Sequence, residues 1–239
     1  MTPQTESEVK TLEAIADRFF RFTLWSQPAY PTSHDAKSIT RLVENHCLAV
    51  REPNSPNVIQ FTERCRLFLG RDVKTVELEA VVTECFSHLD ALFFFGLLNR
   101  RVSVFHGGGT RSLVKLHFFT NGNEDVAGLF DKFRAAIGIS LVGGLGLGDL
   151  LVVLVHEMVH AWLEIFSDAT CAEHYSWVKR YRRHGEMFQR LFRFVVERVG
   201  ALVPGDLLQN RILVWLNKMD WQVRQNSSWW DCFVSAVIP

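Results

Sequence analysis

Leu150–Ile165, LLVVLVHEMVHAWLEI, is the stretch from which the rest of this 239-residue chain is read. It is long and apolar and predicts a buried helix. Within it, His156, Glu157 and His160 form an H-E-x-x-H motif. A spacing of four places both imidazoles on one helical face, about one turn apart, where they can share one ion. Glu157 stands beside the first histidine, placed to take a proton from a water activated by the metal without ligating it. The bland alternative is a core helix with two incidental histidines. Apolar flanks weigh against it, because a carboxylate and two imidazoles buried in a core helix need a reason.

Composition narrows what surrounds this helix. Hydrophobic residues make up 48% of the chain and aromatics 12%, which excludes a disordered polymer. The 26 Lys and Arg balance the 26 Asp and Glu, so no global field recruits nucleic acid or an anionic membrane, and any such contact needs a local patch. Five cysteines (Cys47, Cys65, Cys85, Cys171, Cys232) are scattered without a C-x-x-C pair, which favours a reducing compartment and excludes a zinc ribbon. The opening MTPQTESEVK has no apolar signal core, so the expectation is an intracellular protein, nuclear or cytoplasmic. Ala135–Val155 is apolar enough to raise a membrane span. Asp149 and the glycines Gly143, Gly144, Gly146 and Gly148 cut it below the roughly 20 residues a span requires, and no membrane partner is expected.

Upstream, helical spacing predicts helices over Glu6–Trp25, Asp35–Val50, Val58–Leu69 and Val73–Leu98, with breaks at Pro28–Pro31 and Glu52–Asn57. From Arg101 the pattern changes to short runs rich in Val, Phe and Ile. Arg101–Phe105, Ser112–Phe119 and Arg134–Val142, bounded by HGGGT and TNGNED, predict strands of one antiparallel sheet. GGLGLG at Gly143–Gly148 lacks the Lys-Ser/Thr of a phosphate loop and reads as a connection, with Asp149 as N-cap of the motif helix.

A catalytic zinc takes three protein ligands and leaves a position open. The spacing of metzincins fails, because Leu163 and Phe166 stand where its glycine and third histidine belong. His174 and His184 remain, with Glu173 and Glu186 as carboxylate alternatives. Position favours His184: Phe188, Leu191, Phe192, Val195, Val196 and Val199 follow it at helical spacing, and Gly185 would permit a close approach to the motif helix. His174 lies in a polar stretch.

HEMVHAW followed by HGEMFQRLF resembles the SprT-like (Spartan-related) metalloprotease domain family, whose pattern is HEMxHA, a variable insert and HGxxF. Leu92–Val104 resembles the helix end and first strand that open the domain and Arg134–Leu141 the strand before the active helix, so the resemblance covers roughly Val73–Val199. The insert between His160 and His184 is long for the family, and no zinc ribbon follows. The resemblance implies an α+β, zincin-like fold with the metalloprotease domain over 73–200, flanked by a helical N-terminal extension over residues 1–72, which has no counterpart in the family, and a helical C-terminal extension over 201–239. It implies zinc on His156, His160 and His184, Glu157 as base, and a protein substrate that includes DNA-bound or crosslinked proteins. His174, Tyr175 and Tyr181 are candidates for stabilising the oxyanion. Lys179, Arg180, Arg182 and Arg183, with Arg190, Arg193 and Arg198 beyond them and Trp177 and Tyr181 among them, form a local basic patch for single-stranded DNA. The alternative is the solvated face of an amphipathic helix. From another functional class stands a non-catalytic scaffold with a structural zinc.

Overall fold

A computed structural model describes residues 3–18, 34–69, 75–103, 109–120, 127–141, 145–179, 184–203 and 205–225. Five helices come first: α1 (Pro3–Arg18), α2 (Ala36–His46), α3 (Leu48–Arg51), α4 (Pro56–Phe68) and α5 (Thr75–Phe93). Strands β1 (Arg101–Ser103), β2 (Thr110–Ser112), β3 (Lys115–Phe119), β4 (Gly128–Asp131) and β5 (Ala136–Ser140) follow. The motif helix is α6 (Leu147–Phe166); after it come a π-helical turn (Tyr175–Lys179), α7 (Glu186–Leu202) and α8 (Asp206–Gln225). The chain is α+β and mostly helical.

Local chemistry explains the helix ends. Asp35 caps α2 by accepting from the Ser38 amide at 2.6 Å. The predicted helix over Asp35–Val50 breaks at Cys47, whose backbone is extended, giving α2 and α3. Pro56 opens α4, where its missing N–H costs nothing. α5 ends at Phe93, and the turn beyond it carries positive φ at Phe95 (59°) and Gly96 (72°). The end of the Glu6–Trp25 prediction, the Pro28–Pro31 break, most of HGGGT and of TNGNED, Gly143 and Gly144 lie outside the described residues.

The expectation of one antiparallel sheet is corrected. β1 and β2 form a separate antiparallel pair, with Val102 opposite Arg111. The other three strands form a mixed sheet in the order β3-β5-β4, in which β5 runs parallel to β3 and antiparallel to β4. The cause is β4, a four-residue strand (GLFD) that period-two reading passes over because it is too short to show alternation. It pairs antiparallel with one edge of β5, and β3 pairs parallel with the other. β5, the central strand, is buried at all five positions, Ser140 included.

α6 runs through the middle of the molecule. From Asp149 to Phe166 every residue is buried, because α1, α2, α5, α7, α8, β4 and β5 all pack on it. The core is continuous, from Leu12 on α1 and Ile39 on α2 through Leu89 on α5 and Leu154 on α6 to Trp215 on α8. α6 starts earlier than expected: Gly146 is its N-cap and Asp149 lies in the first turn, where a carboxylate opposes the positive helix end and reaches the Arg211 guanidinium at 3.6 Å. Among the described residues no helix is long and apolar enough to cross a membrane.

Candidate metal centre

His156 and His160 leave α6 one turn apart. His184 comes from the segment before α7 and completes the group. Its Nε2 lies 3.1 Å from that of His156 and 3.2 Å from that of His160. Four bonds of 2.0–2.1 Å directed tetrahedrally, as zinc takes from imidazole, put neighbouring nitrogens about 3.3 Å apart. Both distances from His184 match that spacing, all three ligand atoms lie within 4.8 Å of one another, and among the described residues this is the single cluster of metal-ligating side chains. All three histidines are buried, His156 at 1% exposure. Burial, and then the charge of neighbouring His184, hold the His156 imidazole well below its ordinary pKa, which keeps it neutral and able to ligate.

The placement of His184 is built from the chain around it. Gln189, in the first turn of α7, donates from Nε2 to the His184 carbonyl at 2.8 Å. The Gly185 amide donates to the Val178 carbonyl at 3.2 Å, tying the segment to the π-helical turn. Gly185 therefore permits close approach to that turn, where the sequence suggested the motif helix. Phe188, noted in the sequence only as part of an apolar stripe, walls the site. Its ring stacks on His160 with centroids 4.3 Å apart, and meets His156 and His184 edgewise at 4.9 Å and 4.7 Å.

Glu157 sits outside the ligand cluster. It is 1% exposed, and burial pushes its carboxyl up to about 8. Its Oε1 has no hydrogen-bond partner among the described residues. A buried carboxylate oxygen without a partner is costly, so its retention calls for a group that the described side chains do not supply. Gly128, at the start of β4, lies against it: a Cβ there would come within 3.1 Å of Glu157 Oε1. Nothing in the sequence signals this contact, since β4 itself was not predicted.

The other sequence candidates lie elsewhere. His174 is buried, but its Nδ1 is 3.3 Å from the Ser167 hydroxyl at the far end of α6. Ser167 is seven residues beyond His160, about 10 Å along the helix axis, so His174 is neither the third ligand nor close to the reacting position. Glu173 is exposed and accepts from the Cys171 thiol at 3.1 Å, and Glu186 is also exposed. Tyr175 is 68% exposed. Of the basic patch, Lys179 is exposed, while Arg190 is held by the Glu44 carboxylate through two contacts of 2.6 Å. Arg180, Tyr181, Arg182 and Arg183 lie outside the described residues.

Comparison of the chain with protein-family models, with curated proteins and with solved structures finds no match.

Proposed function

We propose that this protein is a zinc-dependent metalloendopeptidase of SprT-like type. His156, His160 and His184 would hold the metal and Glu157 would serve as general base. The observation that carries the reading is the convergence of three buried imidazoles, with the His184 nitrogen at zinc spacing from the other two, next to a buried carboxylate with an oxygen unpartnered among the described residues. Bound zinc would supply Lewis acidity, making a water easier to deprotonate and a peptide carbonyl easier to attack. Glu157, with its carboxyl pKa raised by burial, takes the proton from the attacking water and later delivers it to the departing amine. The Phe188 ring excludes bulk water from one side of the imidazoles.

The scaffold alternative, a structural zinc, is disfavoured by ligand number. Structural sites close with four protein ligands, whereas the three found among the described residues leave an open position, which suits catalysis. DNA-bound or crosslinked proteins are the substrate class that the family resemblance suggests, with Lys179, Arg180, Arg182 and Arg183 as candidate contacts to the nucleic acid.

Zinc content and cleavage of labelled casein and of a DNA-bound protein, with and without single-stranded DNA, test the reading on wild type and Glu157→Gln. Both proteins should hold one zinc, and only wild type should cleave. A wild type that binds zinc and cleaves nothing under any of these conditions defeats the peptidase reading and leaves the scaffold.

A further inference from the structure

Glu164 continues the face of α6 that carries His156 and His160, one more turn along. Its side chain is 2% exposed, and it meets the Lys132 ammonium at 2.8 Å. Lys132 follows directly on β4. The other end of β4 is Gly128, which lies against Glu157 and Val153. From Glu157 to Glu164 the helix rises about 10 Å, and from Gly128 to Lys132 an extended chain covers about 13 Å. The two segments thus run side by side in the same direction and are joined at both ends, by an ion pair at one and by a close backbone approach at the other. β4 is an end strand of its sheet, so hydrogen bonds to a further strand do not hold its outer edge among the described residues. A carboxylate buried as deeply as Glu164 is strongly destabilising without a partner, and an apolar pair of similar volume would serve stability at least as well.

We propose that Lys132 and Glu164 are a positioning pair: they clasp β4 along α6 and so set where Gly128 presses on the side chain of Glu157. The proposal rests on the metallopeptidase reading for its catalytic consequence, while the clasp itself is readable without catalysis. Lys132 and Glu164 act through β4 and are not members of the histidine cluster.

The test uses the full chain loaded with zinc, comparing Lys132→Met, Lys132→Arg, and the double variant Lys132→Met/Glu164→Leu, with Arg134→Ala as a charge control at the same turn. Amide hydrogen exchange at Gly128–Asp131 should speed up by about tenfold in Lys132→Met, as a local opening becomes easier. Zinc stoichiometry should stay at that of wild type. On labelled casein, kcat should fall about tenfold with KM little changed, because the base and not the substrate groove is misplaced. Lys132→Arg should restore exchange and kcat. The double variant should recover the thermal midpoint without recovering kcat, which a purely structural ion pair would not do. Unchanged exchange in Lys132→Met, or a double variant that regains kcat along with stability, overturns the proposal. If wild type cleaves nothing, the peptidase reading fails, and the exchange comparison alone decides whether the clasp exists.

Discussion

Gly185 and Trp177 meet backbone to backbone: a Cβ on Gly185 would lie 2.4 Å from the Trp177 carbonyl carbon and 2.5 Å from its oxygen. Backbone cannot swing aside as a side-chain end can, so even a methyl group must push the segment holding His184 away from the π-helical turn. Gly185→Ala should therefore weaken zinc binding by 10-fold or more, on the scale seen when the support of a ligand is lost. Competition with a chromophoric chelator measures this. Affinity within twofold of wild type would mean that His184 is held by the cluster itself.

Gly128→Ala should separate base placement from metal binding. Its Cβ would stand 2.5 Å from Val153 Cγ1 and 3.1 Å from both Cγ and Oε1 of Glu157. The nearest atoms belong to Val153 and Glu157 and not to the histidines, so zinc content should hold while casein cleavage drops about 10- to 100-fold, as for an angstrom-scale misplacement. Loss of zinc in parallel with activity would count against this division of roles.

Acid should release the metal and destabilise the metal-free protein through the same group. The His156 pKa is depressed from 6.5, so its neutral form is favoured on folding. That contribution is fully present above pH 6.5 and is lost as pH falls through the folded value. Zinc also needs the neutral ring. At neutral pH, a free-zinc concentration 100-fold above Kd should stabilise the fold by about 2.7 kcal/mol, and chelation should remove that gain. Thermal midpoints with and without chelator, from pH 5 to 8, check this; an equal zinc effect at pH 5 and pH 7.5 would refute it.

Asp90 gives an opposite slope. It is 1% exposed and accepts from the amides of Leu98 and Asn99 at 3.0 Å and 2.8 Å, shaping the turn after α5. Burial raises its pKa from 3.8 to about 7, against the pull of those two amides. The native state therefore keeps a proton that the unfolded chain has lost, and this contribution to stability is lost as pH rises from about 4 to 7, by up to about 1.4 kcal/mol per pH unit. Asp90→Asn should be less stable overall, by about 1–3 kcal/mol, because one amide loses its acceptor. It should also lack this slope. Urea unfolding at several pH values compares the two; parallel pH curves would remove Asp90 as the source.

Much of the site's membership was legible from spacing. The i, i+4 histidines of α6 needed only helical geometry, and His184 was favoured by the apolar periodicity of the helix behind it. β4 and its consequences were not legible. Four residues between turns carry too little periodicity, so the mixed order β3-β5-β4, the contact of Gly128 with Glu157 and the Lys132–Glu164 pair could not be foreseen. Gly185 was noticed as permissive, yet its partner was misassigned, since a glycine signals a close approach without saying to what. Asp149 suits a cap by residue type, yet it stands inside the first turn, with Gly146 at the cap. The helix begins at Leu147 because packing on both sides of α6 sustains an extra turn.

By itself the sequence determined a buried helix presenting two imidazoles and a carboxylate, because periodicity is a property of consecutive residues and needs no partner. It also placed a third histidine ahead of an amphipathic helix. Only the tertiary structure decided that His184 closes to within 3.2 Å of both other rings, that His174 lies at the far end of α6, and that β4 presses on Glu157. Each is a meeting between segments distant in sequence, set by how the faces of α6 were shared among its neighbours, and no local pattern encodes that division.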